Sequence, residues 1–339
     1  FFFSYLIFFL SSIVYLLPVI LNNYKYNLIK LNFYFLNNLN FLWLIYFSLF
    51  SFFLVINLWS SPVLSIWFSH LIFTSYQLKM TFFIFIFYLM IKTVLISSFS
   101  FTSKELYDYL VTLLQFFYWI VIIFLSNTIF SMIFIIEVLS TLLFLLFITS
   151  IFSSSFFYRN IDYSFGHIFQ SSLPYVYIQS ILIFFWISLL SSLNLFLFLL
   201  LFYTNLLTLD LFLLEYIFIY YININSFKEI FSLGISWFIL IFCIFLKCGI
   251  TPFFLWKPAF FKGIPFYTIF FYICFFYFFL FLFLIYFLTS FFINVFYYYS
   301  IIMVIVILLG IITLLGIICE SYYFKIFMAL SSILNSLLV

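Results

Sequence analysis

The chain has 339 residues, 69% of them hydrophobic and only 6% charged, with a formal net charge of +3. So little polar surface cannot cover so much apolar surface in water, which excludes a soluble globular domain and predicts a polytopic membrane protein. Two histidines are too few for a bis-histidine haem or a haem-copper site, and a few scattered lysines make no nucleic-acid patch, so neither a cofactor nor a nucleic acid is expected on this chain.

Taken in order, the first apolar segment, Phe1 to about Leu21, is long enough to span a bilayer and lacks the basic start and small-residue cleavage pattern of a signal peptide. The polar stretch Asn22 to Asn40 carries Lys25 and Lys30, and a second span runs from Phe41 to about Trp59, closed by Ser60, Ser61 and Pro62. Val63 to Lys79 is apolar but interrupted by His70, Gln77 and Lys79, which predicts a re-entrant or interfacial piece rather than a full crossing. The third span, about Met80 to Phe99, contains Lys92; this lysine either snorkels toward the Ser97 to Lys104 end or stands as an intramembrane charge. Helices one to three make an N-terminal part, residues 1–100, and residues 101–339 a second helix bundle.

After the polar turn Thr102 to Asp108 come two closely spaced spans, about Tyr109 to Leu125 and Ile129 to Phe152, split by Ser126, Asn127 and Thr128. Glu137 lies in the latter with no other charge between Asp108 and Arg159. A carboxylate so isolated is a functional-site signal, and its structural alternative is a protonated side chain bonded to a neighbouring helix. A connecting segment, Ser153 to Gln170, holds Arg159, Asp162 and His167, the last read as a loop residue without a catalytic part. The sixth span runs from Leu173 to about Leu190, with Pro174 in its first turn, where a missing N–H costs little. Ser191 to Glu229 mixes apolar runs with charges and predicts an interfacial helix or an insertion. The seventh span is Phe231 to about Phe254, the eighth Phe266 to Leu288 and the ninth about Tyr299 to Ile318; a tenth begins after Lys325. The chain opens on Phe1 without an initiating Met and stops at Val339 inside an apolar run, so both ends read as cut.

The four cysteines, Cys243, Cys248, Cys274 and Cys319, all fall in apolar segments with no CxxC pair and read as small core residues. Loop charges predict an orientation. One side collects Lys25, Lys30, Lys104, Arg159, Lys257, Lys262 and Lys325 and the other only Lys79 and Lys228, which places the N-terminus on the non-cytoplasmic side, or toward the intermembrane space in a mitochondrial inner membrane. With 63 Phe and 28 Tyr but one Arg and two Ala, the composition favours AT-rich codons, as an AT-biased organellar genome would.

Lys247 is the second isolated charge, since none lies between Glu229 and it. An ammonium at bilayer depth costs roughly 2.5 to 3.5 kcal/mol on insertion scales, so it needs a partner or a water path. Glu137 is the natural partner. Desolvation and an opposite charge act on a lysine in opposite senses, and a lysine balanced between them can take up and release protons as the partner moves. Pro252 lacks a backbone donor and should bend or break the seventh helix just past the lysine, where freed carbonyls can line a hydrated cavity. The predicted boundaries set Glu137 and Lys247 on opposite sides of the midplane, about 10 Å apart in height at 1.5 Å per residue.

Phe245 to Pro265, FLKCGITPFFLWKPAFFKGIP, resembles the signature of the subunit 2 family of proton-pumping NADH:ubiquinone oxidoreductase, respiratory complex I, FK followed after four residues by PFHxWxPDVYxGxP. Lys247, Pro252, Phe253, Trp256, Pro258, Gly263 and Pro265 fall on it in register, and the Gly-x-Pro ending is closer to subunit 2 than to the related subunits 4 and 5. Glu105 to Leu139 is similar to the family's EFY start and glutamate-bearing helix, and Lys325 to Ile333, KIFMALSSI, to its KRxLAYSSI. The resemblance covers about Lys104 to Val339, with an insertion between Ser191 and Glu229. It implies an all-α bundle of about ten transmembrane helices, antiporter-like, with a broken seventh helix and the C-terminal part of the family fold missing. Glu137 and Lys247 match the family's fifth-helix glutamate and broken-helix lysine, which assigns them to proton translocation.

The pattern also departs from the family. Phe254 replaces its histidine and Ala259 its aspartate, its next lysine falls at about Tyr277, and its twelfth-helix lysine lies beyond the chain. The resemblance implies a mitochondrial inner-membrane subunit whose partners are other membrane-arm subunits, including a chain that completes the C-terminal helices, and lipids, while NADH and ubiquinone react elsewhere. A cation/proton antiporter subunit and a non-conducting scaffold subunit are the alternatives.

Overall fold

A computed structural model describes residues 64–66, 68–74, 79, 80, 83, 84, 103–161, 173–211, 213, 214, 216, 217, 227–291, 293–319 and 321–338. The first two predicted spans, nearly all of the third, Lys92, Asp162 and His167 lie outside them. The described chain is mostly helical: α1 (Ser103–Leu125), α2 (Ile129–Ile161), α3 (Leu173–Leu206), α4 (Phe227–Cys248), the short α5 (Trp256–Gly263), α6 (Phe266–Phe271) continuing through a π-helical segment (Tyr272–Tyr277) into α7 (Phe278–Phe291), then α8 (Ile293–Cys319) and α9 (Phe324–Leu338). Among the described residues, three stretches are long and apolar enough to cross a membrane by length and composition: Ile129–Ser150, Tyr177–Leu206 and Thr268–Phe287. At 1.5 Å per residue, the 30 residues of the second exceed a hydrocarbon core of about 30 Å and would have to tilt.

Side-chain hydroxyls follow one local rule. Ser140, Thr149, Ser150, Ser180, Ser191, Thr268 and Ser332 each donate to the carbonyl three residues back, at 2.6 to 3.0 Å. A hydroxyl satisfied by its own helix needs no water, which lets serine-rich helices stay among apolar neighbours.

Several boundaries differ from the sequence reading. Predicted as a re-entrant or interfacial piece, 63–79 contains a hairpin, β1 (Leu64–Ile66) antiparallel to β2 (Leu71–Phe73), so the chain is not purely α. Its turn passes through positive φ at Phe68 and Ser69 and is held by the α1–α2 junction, where the Asn127 N–H donates to the His70 carbonyl at 2.9 Å. On its other side the junction meets the chain after α3: the Ile129 N–H donates to the Leu209 carbonyl and the Leu211 N–H to the Asn127 carbonyl, both at 3.0 Å. Ser126, Asn127 and Thr128 thus close one end of the bundle rather than merely separating two spans.

α2 runs on to Ile161, so Arg159 is helical and not in a loop, and α3 continues sixteen residues past Leu190 through much of the supposed insertion. Neither run contains a glycine or proline to stop it. Cys243 and Cys248 are buried as expected, but Cys319, at the end of α8, is exposed.

The stop of α4 has a cause other than the proline. Gly249 sits at φ 63°, its N–H donates to the Leu246 carbonyl at 3.3 Å, and the Ile250 N–H donates to the Phe245 carbonyl at 2.9 Å. This pair of bonds is a Schellman cap, which needs a residue in the left-handed region. Pro252, in a cis peptide after Thr251, comes four residues beyond the last helical residue. α8 then packs directly on this turn, because a Cβ on Gly310 would stand 2.2 Å from the Thr251 Oγ1, whereas a Cβ on Gly316 would meet nothing within 4 Å.

Gly310→Ala should therefore lower the thermal unfolding midpoint of the detergent-solubilised chain, and Gly316→Ala should leave it unchanged or slightly raised. Gly249→Ala should cost about 1–2 kcal/mol for its left-handed conformation, read in the same assay.

Candidate functional site

α2 and α4 each contribute one ionisable group to the bundle interior. The Lys247 Nζ donates to the Glu137 Oε1 at 2.5 Å, with the lysine side chain 8% exposed and the glutamate 21%. Lys247 lies in the last turn of α4, where the free carbonyls of the helix end favour a cation. One turn along α2, the Ser140 hydroxyl donates to the Glu137 backbone carbonyl at 2.7 Å and lies 3.4 Å from Oε2, so both carboxylate oxygens face a donor. The predicted offset of about 10 Å at 1.5 Å per residue is not there. That height was reckoned from a span reaching Phe254, but α4 ends at Cys248, so no single helix has that midpoint.

The pair can do two things chemically. Contact holds both groups ionised; withdrawal of either leaves an uncompensated charge in an apolar setting, which is relieved by moving a proton. Glu137, the more open of the two, is the side from which a proton or a water molecule would arrive. Pro252 takes no part in this contact, and the neighbouring break is set by Gly249.

Lys257, expected among the loop charges, does not lie in a loop. It sits in α5 and is fully buried, with its Nζ 3.7 Å from the centroid of the Tyr277 ring. Burial follows from the packing of α5. Phe260 contacts Phe147 of α2 with ring centroids 4.9 Å apart, Phe184 of α3 at 5.2 Å and Tyr272 of the π segment at 5.8 Å. At the other end of α5, the Lys325 Nζ donates to the Ile264 carbonyl at 2.7 Å. With α5 enclosed from these sides, a side chain one turn before Phe260 has no route to solvent. Lys262, on the outer face, remains exposed. The sequence signal was present, since Trp256, Pro258, Phe260 and Phe261 surround Lys257, but a short polar-looking run after a helix stop reads as a loop.

His70 also has a place that the sequence did not suggest. Its Nδ1 lies 2.9 Å from the Thr128 Oγ1, and its carbonyl accepts from the Ser131 hydroxyl at 3.2 Å, so it braces the hairpin against the start of α2. Among the described residues no group of three or more His, Cys, Asp or Glu side chains could hold a metal ion. No protein-family model matches the chain, and no curated protein matches it.

A double-mutant cycle tests the pair. Glu137→Gln and Lys247→Met should each destabilise the solubilised protein, while the double variant recovers part of the loss, with a coupling of about 1–3 kcal/mol in thermal or denaturant unfolding. Additive single effects would mean that the two groups do not interact.

Proposed function

We propose that this chain is an antiporter-like membrane-arm subunit of proton-translocating NADH:ubiquinone oxidoreductase, complex I, that carries part of a proton path through Glu137 and Lys247. On this reading it is a bundle of about ten membrane helices in the mitochondrial inner membrane, its N-terminus toward the intermembrane space. NADH and ubiquinone react on other subunits. The observation that carries the reading is the ion pair itself: an acid from one apolar helix and a base from another meet beside a helix that stops between its neighbours. Helices that end inside a bundle leave backbone carbonyls free to bind water, so the stop and the pair serve the same end.

Two further features support it. Lys247, Pro252, Phe253, Trp256, Pro258, Gly263 and Pro265 fall in register on the subunit 2 signature, from which Phe254 and Ala259 depart. The outer faces of α3 and α8 are apolar, with Trp186, Leu193 and Leu200 on one and Ile305, Leu308 and Ile312 on the other more than half exposed, as surfaces meeting lipid or neighbouring subunits would be.

The mechanism is an exchange between two states. With the pair closed, Lys247 keeps its proton against Glu137. When the pair opens, the unpaired ammonium loses its stabilisation and passes a proton onward to water; the neutral lysine then takes up a proton from water on the Glu137 side, and the pair re-forms with both groups charged.

In vesicles containing the assembled enzyme, Glu137→Gln and Lys247→Met should each lower the protons moved per NADH oxidised without abolishing assembly. Unchanged pumping in both would assign the chain a scaffold role. Sodium-driven proton exchange by the chain in vesicles without NADH would instead favour an antiporter.

A further inference from the structure

We propose that Lys257, together with the hydroxyls of Thr251, Tyr272 and Tyr277, forms a second protonatable station that holds water and exchanges protons with the Glu137–Lys247 pair. The inference rests on the proton-transfer reading above and extends it to residues beyond the ion pair.

The first reason is the state of the lysine. Lys257 is wholly buried, its Nζ has no hydrogen-bond partner, and among the described residues no carboxylate pairs with it. Charged or neutral, the amine carries at least two N–H donors, and one aromatic face at 3.7 Å cannot accept them all. Buried groups in this condition are where ordered water is found.

The second reason is the company it keeps. Serine and threonine hydroxyls along α2 and α3 turn back to their own helix, but Thr251 Oγ1, Tyr272 OH and Tyr277 OH, all buried, have no such bond. Positions five apart on an α-helix lie on different faces, since 3.6 residues make a turn. The π segment removes that misalignment. Its i→i+5 period brings Tyr272 and Tyr277 together, ring centroids 6.4 Å apart and 33° between planes, on the side that meets Lys257. Irregular helix, two buried tyrosine hydroxyls that do not turn back to their own backbone, and a buried amine thus coincide at one place. The groups placed around the amine are Cys248 at the end of α4, the Tyr277 ring and, beside that ring, Tyr272 and Ser336 of α9; the Thr251 hydroxyl lies in the turn between α4 and α5.

The third reason is position. A Cβ on Gly249 would lie 3.2 Å from the Lys257 Cδ, so the stem of this lysine rests on the cap that follows Lys247, and Cys248 is within electrostatic range of both amines. The step is a proton transfer through water. An N–H bond of the Lys247 ammonium breaks as a bridging water takes the proton, while that water's own proton forms an N–H bond on Lys257 when its amine is unprotonated. One positive charge crosses the Gly249 turn and no electron moves.

Two measurements on the assembled enzyme with the full chain test this. In hydroxyl-radical footprinting, Tyr272 and Tyr277 should be modified despite their burial, while Phe116 and Phe147, buried in the apolar core, should not. In vesicles, Lys257→Met should reduce protons moved per NADH to the level of Lys247→Met, and Lys257→Met/Tyr277→Lys, which returns an amine to the same spot from the facing helix, should restore part of it. Tyr277→Phe and Thr251→Val alter the station without touching its charge and should show smaller losses, which serves if Lys257→Met does not assemble. Normal pumping in the Lys257, Tyr277 and Thr251 variants alongside losses in Glu137→Gln and Lys247→Met would overturn the second station and leave the ion-pair path standing. Unmodified tyrosines would overturn its water, whatever the pumping result.

Discussion

An ammonium and a carboxylate in contact, each on a helix otherwise without charge at that depth, constrain everything around them. Lys247 and Glu137 are 110 positions apart, on helices separated by the whole of α3, and α4 ends one residue after Lys247. Had α4 continued unbroken to Phe254, Lys247 would occupy the middle of a regular helix, with no carbonyls to spare and no turn for Trp256 and Lys257 to fold back upon. Gly249 supplies the stop because a left-handed residue can close both cap bonds at once. The ion pair, the helix end and the placement of α5 are therefore one arrangement.

α5 shows how aromatic content substitutes for polar surface in such a chain. Phe260 sits among Phe147, Phe184, Trp256 and Tyr272, a cluster drawn from three helices and the π segment. Each ring brings a large apolar area, and their stacked, tilted and edge-to-face contacts fix a helix only eight residues long that could not persist alone. That rigidity is what holds Lys257 in an apolar interior, where a free side chain would otherwise reach outward to water.

Two kinds of polar group coexist in these helices, and they serve different ends. Serines such as Ser150 and Ser180 bond to their own backbone, stay dry and let helices pack closely. The groups near the Gly249 turn do not close on themselves, and it is there that exchange of protons is proposed. A transport path needs groups whose hydrogen bonds can be remade, and an internally satisfied hydroxyl is a poor member of one.

Much of this was legible in the residues alone. The apolar excess set the helical, membrane-suited character. The isolation of Glu137 and Lys247 marked both before any contact was known, because a lone charge in an apolar run must be accounted for. Helix starts near Ile129, Leu173 and Phe266 followed from local runs. What the residues could not convey was anything decided by which helix lies against which. A span run to about Phe254 with a break at Pro252 follows a proline rule where a glycine cap acts three residues before the proline, and the carbonyls that cap serves are identified only by the hydrogen bonds made. Lys257 reads as a loop charge because its burial comes from Phe147, Phe184 and Tyr272, the first of them 110 positions away. Composition and periodicity act through near neighbours and so determine what each segment is. Whether a charge is covered, and by whom, depends on long-range packing and was decided by the tertiary structure.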